Sequence, residues 1–439
     1  MCAQTLYDLP LQPPKSRDVI KKLQSVRKRL AVERAKQSAF WKPRLSAVRL
    51  DKLDDPKEWR KIPLLTKDDL RKLSDEQFYT DFCVAPRTEI CEYWRSGGVT
   101  GRPLFYPRTF ADIRYAMIGF ARTFQAAGIK DGNVAHLSLP LGIHPAGQLW
   151  ARAGQIMGVG MNWAGAGATI PSKQQLALIH MLKPTMWMGM PSYALHLANL
   201  AEAEGLDLAN GSVQTMFCTA EPLSDAKRTK IARRWGAEVY DTFGMTEVSM
   251  IGAEGARHEG FHVWTDLVFV EVIHPETQEP VGPGQSGALV VTPLFTNHAT
   301  PFLRWYTGDI VFYQDEILAD AGPLSVFPRI FHAHRTAGFF KVKGVNINHA
   351  EFEDFMFKLR EVNDFKAEAL ATAGVDAFKV SIEVPRDVNG DDIVKQVAVL
   401  VKRQFEVEPE VAVLPIGTLA AEFETSVKAP RFIDRREQT

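Results

Sequence analysis

Cysteine is scarce in this chain: Cys2, Cys83, Cys91 and Cys218 are scattered through 439 residues, too few and too far apart for a disulfide framework. A reducing cytoplasm is therefore the expected compartment. No apolar run approaches the length of a membrane span. The stretch MCAQTLYDLPLQPPKSRDV lacks the basic segment and apolar run of a signal peptide, so none is expected. Net charge is also absent, with 52 Lys plus Arg against 52 Asp plus Glu, so no global field draws the protein to nucleic acid or an anionic membrane. An anionic ligand must be held by local groups. The Walker spacing G-x-x-x-x-G-K-[ST] is missing. Neither GVG at 158–160 nor GAGAT at 165–169 supplies G-x-G-x-x-G between a strand and a helix, which removes a dinucleotide-dependent dehydrogenase from consideration. Internal repeats and low-complexity tracts are absent as well.

What is present is a globular composition, 46% hydrophobic and 24% charged, in a chain long enough for two or three domains at roughly 100 to 200 residues each. In residues 15–37, Val19, Leu23, Val26 and Leu30 recur at helical spacing among basic residues, which predicts one amphipathic helix with a solvated basic face. From about 110 to 330, helical patterns at 109–127 and 173–182 alternate with the short runs VAHLSLPL, TMWMGM, VQTMFC and AEVYDTF. That alternation predicts an α/β domain with largely parallel strands. Residues 261–297 differ: β-rich runs split by Pro and Gly turns predict the hairpins of an antiparallel sheet or a small barrel. After about 335, the runs FFKVKGV, FKVSIEV and EVAVLPI mixed with two helical patterns predict a small α+β module. The expected division is 1–334 and 335–439.

The sharpest local feature is Arg95-Ser96-Gly97-Gly98-Val99-Thr100-Gly101-Arg102-Pro103. Glycines let the backbone approach a ligand, Ser96 and Thr100 add donors, and Arg102 adds positive charge; these are the parts of a triphosphate cradle. Taken alone, such a loop can equally be a turn. It is followed in order by Ala220-Glu221-Pro222, Asp241-Thr242-Phe243-Gly244-Met245-Thr246-Glu247, Trp305-Tyr306-Thr307-Gly308-Asp309 and Lys428. With these four segments the sequence resembles the adenylate-forming superfamily of acyl-CoA synthetases, adenylation domains and luciferases. AKQSAFWKPRL, IPLLTKDDLR at 62–71, MPSYALHLA at 190–198 and RTAGFFKVKGVNI at 335–347 resemble its phenylacetate-CoA ligase branch. The resemblance covers nearly the whole chain.

That resemblance implies ATP-dependent activation of a carboxylic acid as an acyl-adenylate, then transfer to a thiol, with ATP, magnesium and coenzyme A as cofactors. A carboxylate attacking the α-phosphorus of ATP brings two negative groups together, so the protein must neutralise and align them. By resemblance, Ser96, Gly97, Gly98, Thr100, Gly101 and Arg102 hold the β- and γ-phosphates, Thr246 the α-phosphate and Glu247 the magnesium ion. Adenine lies between the Ala220, Glu221 and Pro222 backbone and the Phe243 ring, with Asp241 accepting from its amine. Asp309 takes the ribose hydroxyls, Arg335 makes a second ribose or phosphate contact, and Lys428 neutralises charge as the adenylate forms. Gly344 matches a glycine beside the pantetheine channel. The acid pocket corresponds to LGIHPAGQLW, MNWAGAG and GMPSY, which offer His144, Trp163 and Tyr193, with Met245 beside them, to a flat aromatic acid. Core packing explains Trp150 and Met190 equally well.

Two departures stand out. The hinge acid found in relatives is replaced by Ala337, followed by Gly338, which weakens the thioester half of the expectation. An adenylate passed to an amine or a carrier-protein thiol is therefore the alternative. Where relatives carry cysteines and a histidine after the Thr-Glu pair, this chain has only His258 and His262 between Gly255 and Gly260, so zinc is not expected. Retention of Glu247, Asp309, Arg335 and Lys428 argues against a non-catalytic descendant. The expected partners are a small carboxylic acid, ATP and CoA, without nucleic acid or membrane; a homodimer is compatible with the sequence.

Overall fold

The computed structural model describes residues 10–96, 103–318, 322–335, 339–342, 344–372, 375–426 and 429–436. Gly97, Gly98, Thr100, Gly101, Arg102, Ala337, Gly338 and Lys428 lie outside them. The chain divides into two compact units: Met1–Asn133, Leu141–Met161 and Tyr240–Thr336 form the first, and Val134–Pro140, Asn162–Val239 and Ala337–Thr439 the second. No described helix is long and apolar enough to cross a membrane.

In the first unit, strands follow the order Val268–Ile273, Ser286–Pro293, Trp305–Gln314, Arg329–Arg335, Phe261–Val263 and Ser249–Glu254, the last pairing antiparallel with the end of Glu238–Met245. Of the two forms expected for 261–297, the open antiparallel sheet is the one built. Its apolar faces cover Trp41, Trp59, Phe78, Phe82, Phe302 and Trp305, one continuous core. A fully buried aromatic side chain of this kind is worth roughly 1.5–3 kcal/mol in transfer free energy. The Trp41 indole also donates to the Pro301 carbonyl at 2.8 Å, so its polar edge is satisfied. A hairpin, Ile90–Arg95 with Phe105–Thr109, leads into the helix Phe110–Ala126, which starts at a capping box between Thr109 and Asp112.

The N-terminal helix forms over Arg17–Ala35, but its buried face is not the expected one. Val19, Val26 and Leu30 are 48%, 58% and 39% exposed, whereas Ile20, Ala31, Val32 and Ala35 are buried. The phase shifts because Lys28 turns inward, its ammonium 4.5 Å from the Trp59 ring and 4.6 Å from Phe269. Its aliphatic stem thus packs as a hydrophobe.

The second unit contains the parallel strands Val134–Leu137, Met186–Gly189 and Thr215–Cys218. Met186–Gly189 is buried throughout, as parallel strands covered by helices require. The helices Ser172–Leu182, Pro191–Ala203 and Asp225–Trp235 accompany them. Its C-terminal portion is a sheet in the order Pro409–Leu414, Val375–Glu383, Asp364–Thr372, Phe432–Asp434, with helices His349–Lys358 and Gly390–Phe405. Two of these strands, Asp364–Thr372 and Phe432–Asp434, have no counterpart in the sequence reading.

Candidate active site

The Thr246-Glu247 pair sits in the turn between the strands Glu238–Met245 and Ser249–Glu254. A tight turn of this kind leaves peptide carbonyls without ladder partners, and here they are supplied by one side chain. The Arg108 guanidinium, fully buried, donates to Thr246 O at 2.7 Å and Glu247 O at 2.9 Å, and also to the Thr300 hydroxyl. It lies 4.6 Å from the Trp94 ring. The Glu247 carboxylate itself is 7% exposed and accepts from the Tyr106 hydroxyl at 3.1 Å through Oε1. Tyr106 is fully buried; burial, then the Glu247 charge, pushes its phenol well above the ordinary value, and Ser96 hydrogen-bonds to it. Ser96, from the glycine-rich loop, and Glu247 therefore meet at one phenol that remains a donor.

The loop itself is the connection of the hairpin Ile90–Arg95/Phe105–Thr109. It is closed at its base by Ser96 N donating to Leu104 O at 3.2 Å and by the Arg95–Phe105 register. Arg95 N donates to Ile143 O at 3.0 Å, next to half-buried His144 at the start of the helix Pro145–Ile156.

A second group forms around His332. The Phe243 ring stacks on Phe261 at 5.6 Å and meets His332 edge-on at 5.7 Å. The other side of His332 faces Asp309, Nε2 to Oδ1, at 3.4 Å. Asp309 is 1% exposed and follows Gly308, whose φ of 80° is the left-handed turn that glycine allows. Antiparallel register sets Asp309 directly opposite Arg335. Positions 309 and 335 thus sit on neighbouring strands, and Phe243, from a strand further along the same sheet, joins them through Phe261 and His332. Asp241 is buried, its Oδ1 accepting from Thr242 N at 2.8 Å, and its own N–H donates to Glu254 at 2.7 Å. Met245 packs against the core beneath this sheet.

In the second unit, Ala220 adopts φ 67°, a left-handed conformation costing a non-glycine residue about 1–3 kcal/mol. Such strain is concentrated at functional loops. Glu221 accepts from Ser192 N at 3.1 Å and Ser192 Oγ at 2.8 Å, capping the helix Pro191–Ala203; Pro222 is exposed. Tyr193 is 1% exposed, its hydroxyl 2.9 Å from Ser172 Oγ and its ring 5.4 Å from Phe423. Burial raises that phenol's pKa above its usual range. Trp163 is 40% exposed. Gly344, φ 85°, forms the turn of the hairpin Phe339–Val342/Val345–Asn348, so the turn alone accounts for a glycine there.

His258 and His262 do not converge. His258 Nδ1 is 3.2 Å from Glu254, and His262 is buried, with burial and then Arg329 lowering its pKa to about 4. No group of three or more His, Cys, Asp or Glu among the described residues could hold a metal ion. Sequence reasoning missed Tyr106, Arg108 and His332. Only the run FYPRT directly after the loop hinted at the first two.

The family model described as AMP-binding enzyme matches residues 67–293. Phenylacetate-coenzyme A ligase of Thermus thermophilus is 28% identical over 323 residues, covering 70% of this chain and 69% of its own. Phenylacetate-coenzyme A ligase of Aromatoleum evansii is 27% identical over 398 residues, covering 89% and 88%. Among solved structures, 2-hydroxyisobutyryl-CoA ligase in its postadenylation state shares the fold at a TM-score of 0.83 and 22% identity, over 100% of this chain and 94% of that one.

Proposed function

The chain belongs to the AMP-binding enzyme family, and from that premise we propose that it is an AMP-forming acid–CoA ligase acting on an aryl acid. In the first step a carboxylate oxygen bonds to the α-phosphorus of ATP, the bond to pyrophosphate breaks, and acyl-AMP forms. In the second, the CoA sulfur, its proton lost, attacks the acyl carbon and the bond to AMP breaks. The relatives named phenylacetate-coenzyme A ligase support both the acceptor and the aryl acid.

The observation that carries the reading is the chain of contacts from Ser96 through Tyr106 to Glu247. It joins the glycine-rich loop to the one buried carboxylate on the Thr-Glu turn. Glu247 fits a hard cation: a buried carboxylate contributing oxygen, with substrate phosphates completing the shell. A magnesium ion held there supplies the charge that offsets the crowded anions. Thr246 lies beside it toward the α-phosphate. On the strand that runs into this turn Phe243 offers a face to adenine and Asp241 reads the adenine amine, while Asp309 with Arg335 offers the ribose contacts from two further strands. Lys428 completes adenylation from the C-terminal module, and Gly344 lies along the pantetheine path. His144, Trp163, Tyr193 and Met245 border the acid. We place the boundary between an N-terminal adenylation module and the C-terminal module at 334/335, and the protein in the cytoplasm.

The test is to incubate the protein with MgATP and a panel of aryl and alicyclic acids, adding either CoA or an amine, and to identify products by mass. An aryl-CoA with stoichiometric AMP is expected. An amide with no thioester would instead establish the amine-acceptor alternative.

A further inference from the structure

Glu247 presents its carboxylate under two constraints. Arg108 fixes the backbone through Thr246 O and Glu247 O, and Tyr106 occupies Oε1. Tyr106 cannot step aside: it is fully buried, with the rings of Phe302 at 5.5 Å and Phe78 at 5.9 Å. Among the described residues no second hydrogen bond to this carboxylate is made, so Oε2 is the oxygen left for a ligand. A phenol held in place uses one lone pair of Oε1 and fixes the tilt of the carboxylate, which favours coordination of a cation through Oε2 over coordination through both oxygens. Magnesium suits that arrangement, because it demands near-octahedral geometry and keeps several waters, whereas calcium readily accepts a carboxylate bidentately and gains from it.

We propose that Tyr106 is a metal-selectivity residue: its hydrogen bond to Glu247 Oε1 biases the carboxylate toward monodentate coordination and so favours the magnesium complex of the nucleotide over the calcium complex. The inference rests on Glu247 being the metal ligand, as above. Tyr106 acts through Glu247 and touches neither metal nor substrate, so it is a positioning residue. A residue that merely supported the fold would weaken both complexes alike.

The experiment is calorimetric titration of the full chain with α,β-methylene-ATP as its Mg2+ or Ca2+ complex, without acid substrate. The wild type is expected to bind the Mg2+ complex about tenfold or more tightly than the Ca2+ complex, and Tyr106→Phe to shrink that ratio by about tenfold, mainly by tightening Ca2+ binding. An unchanged ratio in a folded Tyr106→Phe protein overturns the proposal, as does a wild type with no preference. Should that variant not fold, Glu247→Asp draws the carboxylate out of reach of the phenol and is expected to lower the ratio in the same direction; an unchanged or larger ratio overturns the proposal. Glu247→Gln separates the two levels: metal-dependent binding that survives it unchanged defeats the ligand assignment itself, whatever Tyr106 does.

Discussion

The candidate residues of the first unit and those of the second are held in different ways. In the first, Glu247 and Asp309 are nearly inaccessible carboxylates, one in a turn and one within a strand, contacted by Tyr106, Arg108 and His332 from other parts of the chain. In the second, Glu221 is occupied in capping a helix and Tyr193 in a hydroxyl pair with Ser172, and Gly344 serves a turn. Buried polar groups in a low-dielectric setting reward full satisfaction and punish its loss. The candidate residues of the first unit are therefore set by side-chain geometry, whereas the second unit's most unusual feature is backbone conformation, Ala220 above all.

The largest expected effect breaks the first of these arrangements. Arg108→Met removes a buried guanidinium that satisfies Thr246 O, Glu247 O and Thr300, and should destabilise the fold by about 3–5 kcal/mol, read as a lower urea midpoint. Exchange of pyrophosphate into ATP should vanish with it. A midpoint within experimental error of the wild type means the turn is held by something else.

Acidification is next and weighs on the second unit. His136 and His196, both buried there, have pKa values lowered to about 4, in each case chiefly by burial. The unfolded chain, with its histidines near 6.5, binds more protons between these values. Stability is thus full above about pH 6.5 and falls as pH drops toward 4, by about 1.4 kcal/mol per pH unit for each such group. His196→Phe should flatten its share of that slope in urea unfolding at pH 7, 6 and 5; an unaltered slope would place His196 outside the effect.

The smallest effect sharpens the contrast from the other side. Glu221→Gln keeps the shape but weakens a charge-assisted helix cap, an expected loss of about 1 kcal/mol. Pyrophosphate exchange should change less than about threefold, because only backbone at this motif faces the nucleotide in our reading. A large rise in KM for ATP would show the Glu221 side chain to be part of the site.

How much of this the sequence discloses depends on how local the cause is. The strands Val134–Leu137, Met186–Gly189 and Thr215–Cys218 are legible because buried parallel strands are apolar runs. The Asp309 and Arg335 motifs are legible as residue strings, and sheet register then sets them opposite each other. Asp364–Thr372 is not legible, since Ala, Glu and Leu in DFKAEALAT favour helix, and pairing on both sides overrides that preference. Nor is the Tyr106–Glu247 contact, which closes across 141 residues with no periodic pattern to announce it. The N-terminal helix was legible in existence but not in phase, because burying Lys28 between aromatic rings inverts the usual meaning of a basic residue.

Both steps of the proposed reaction rest on an acyl-adenylate made before any thiol arrives. Labelled pyrophosphate incubated with the protein, ATP, magnesium and phenylacetate, with CoA omitted, should appear in ATP in an acid-dependent manner. Label that enters ATP only when CoA is present, or never enters with any acid of the panel, would contradict the account.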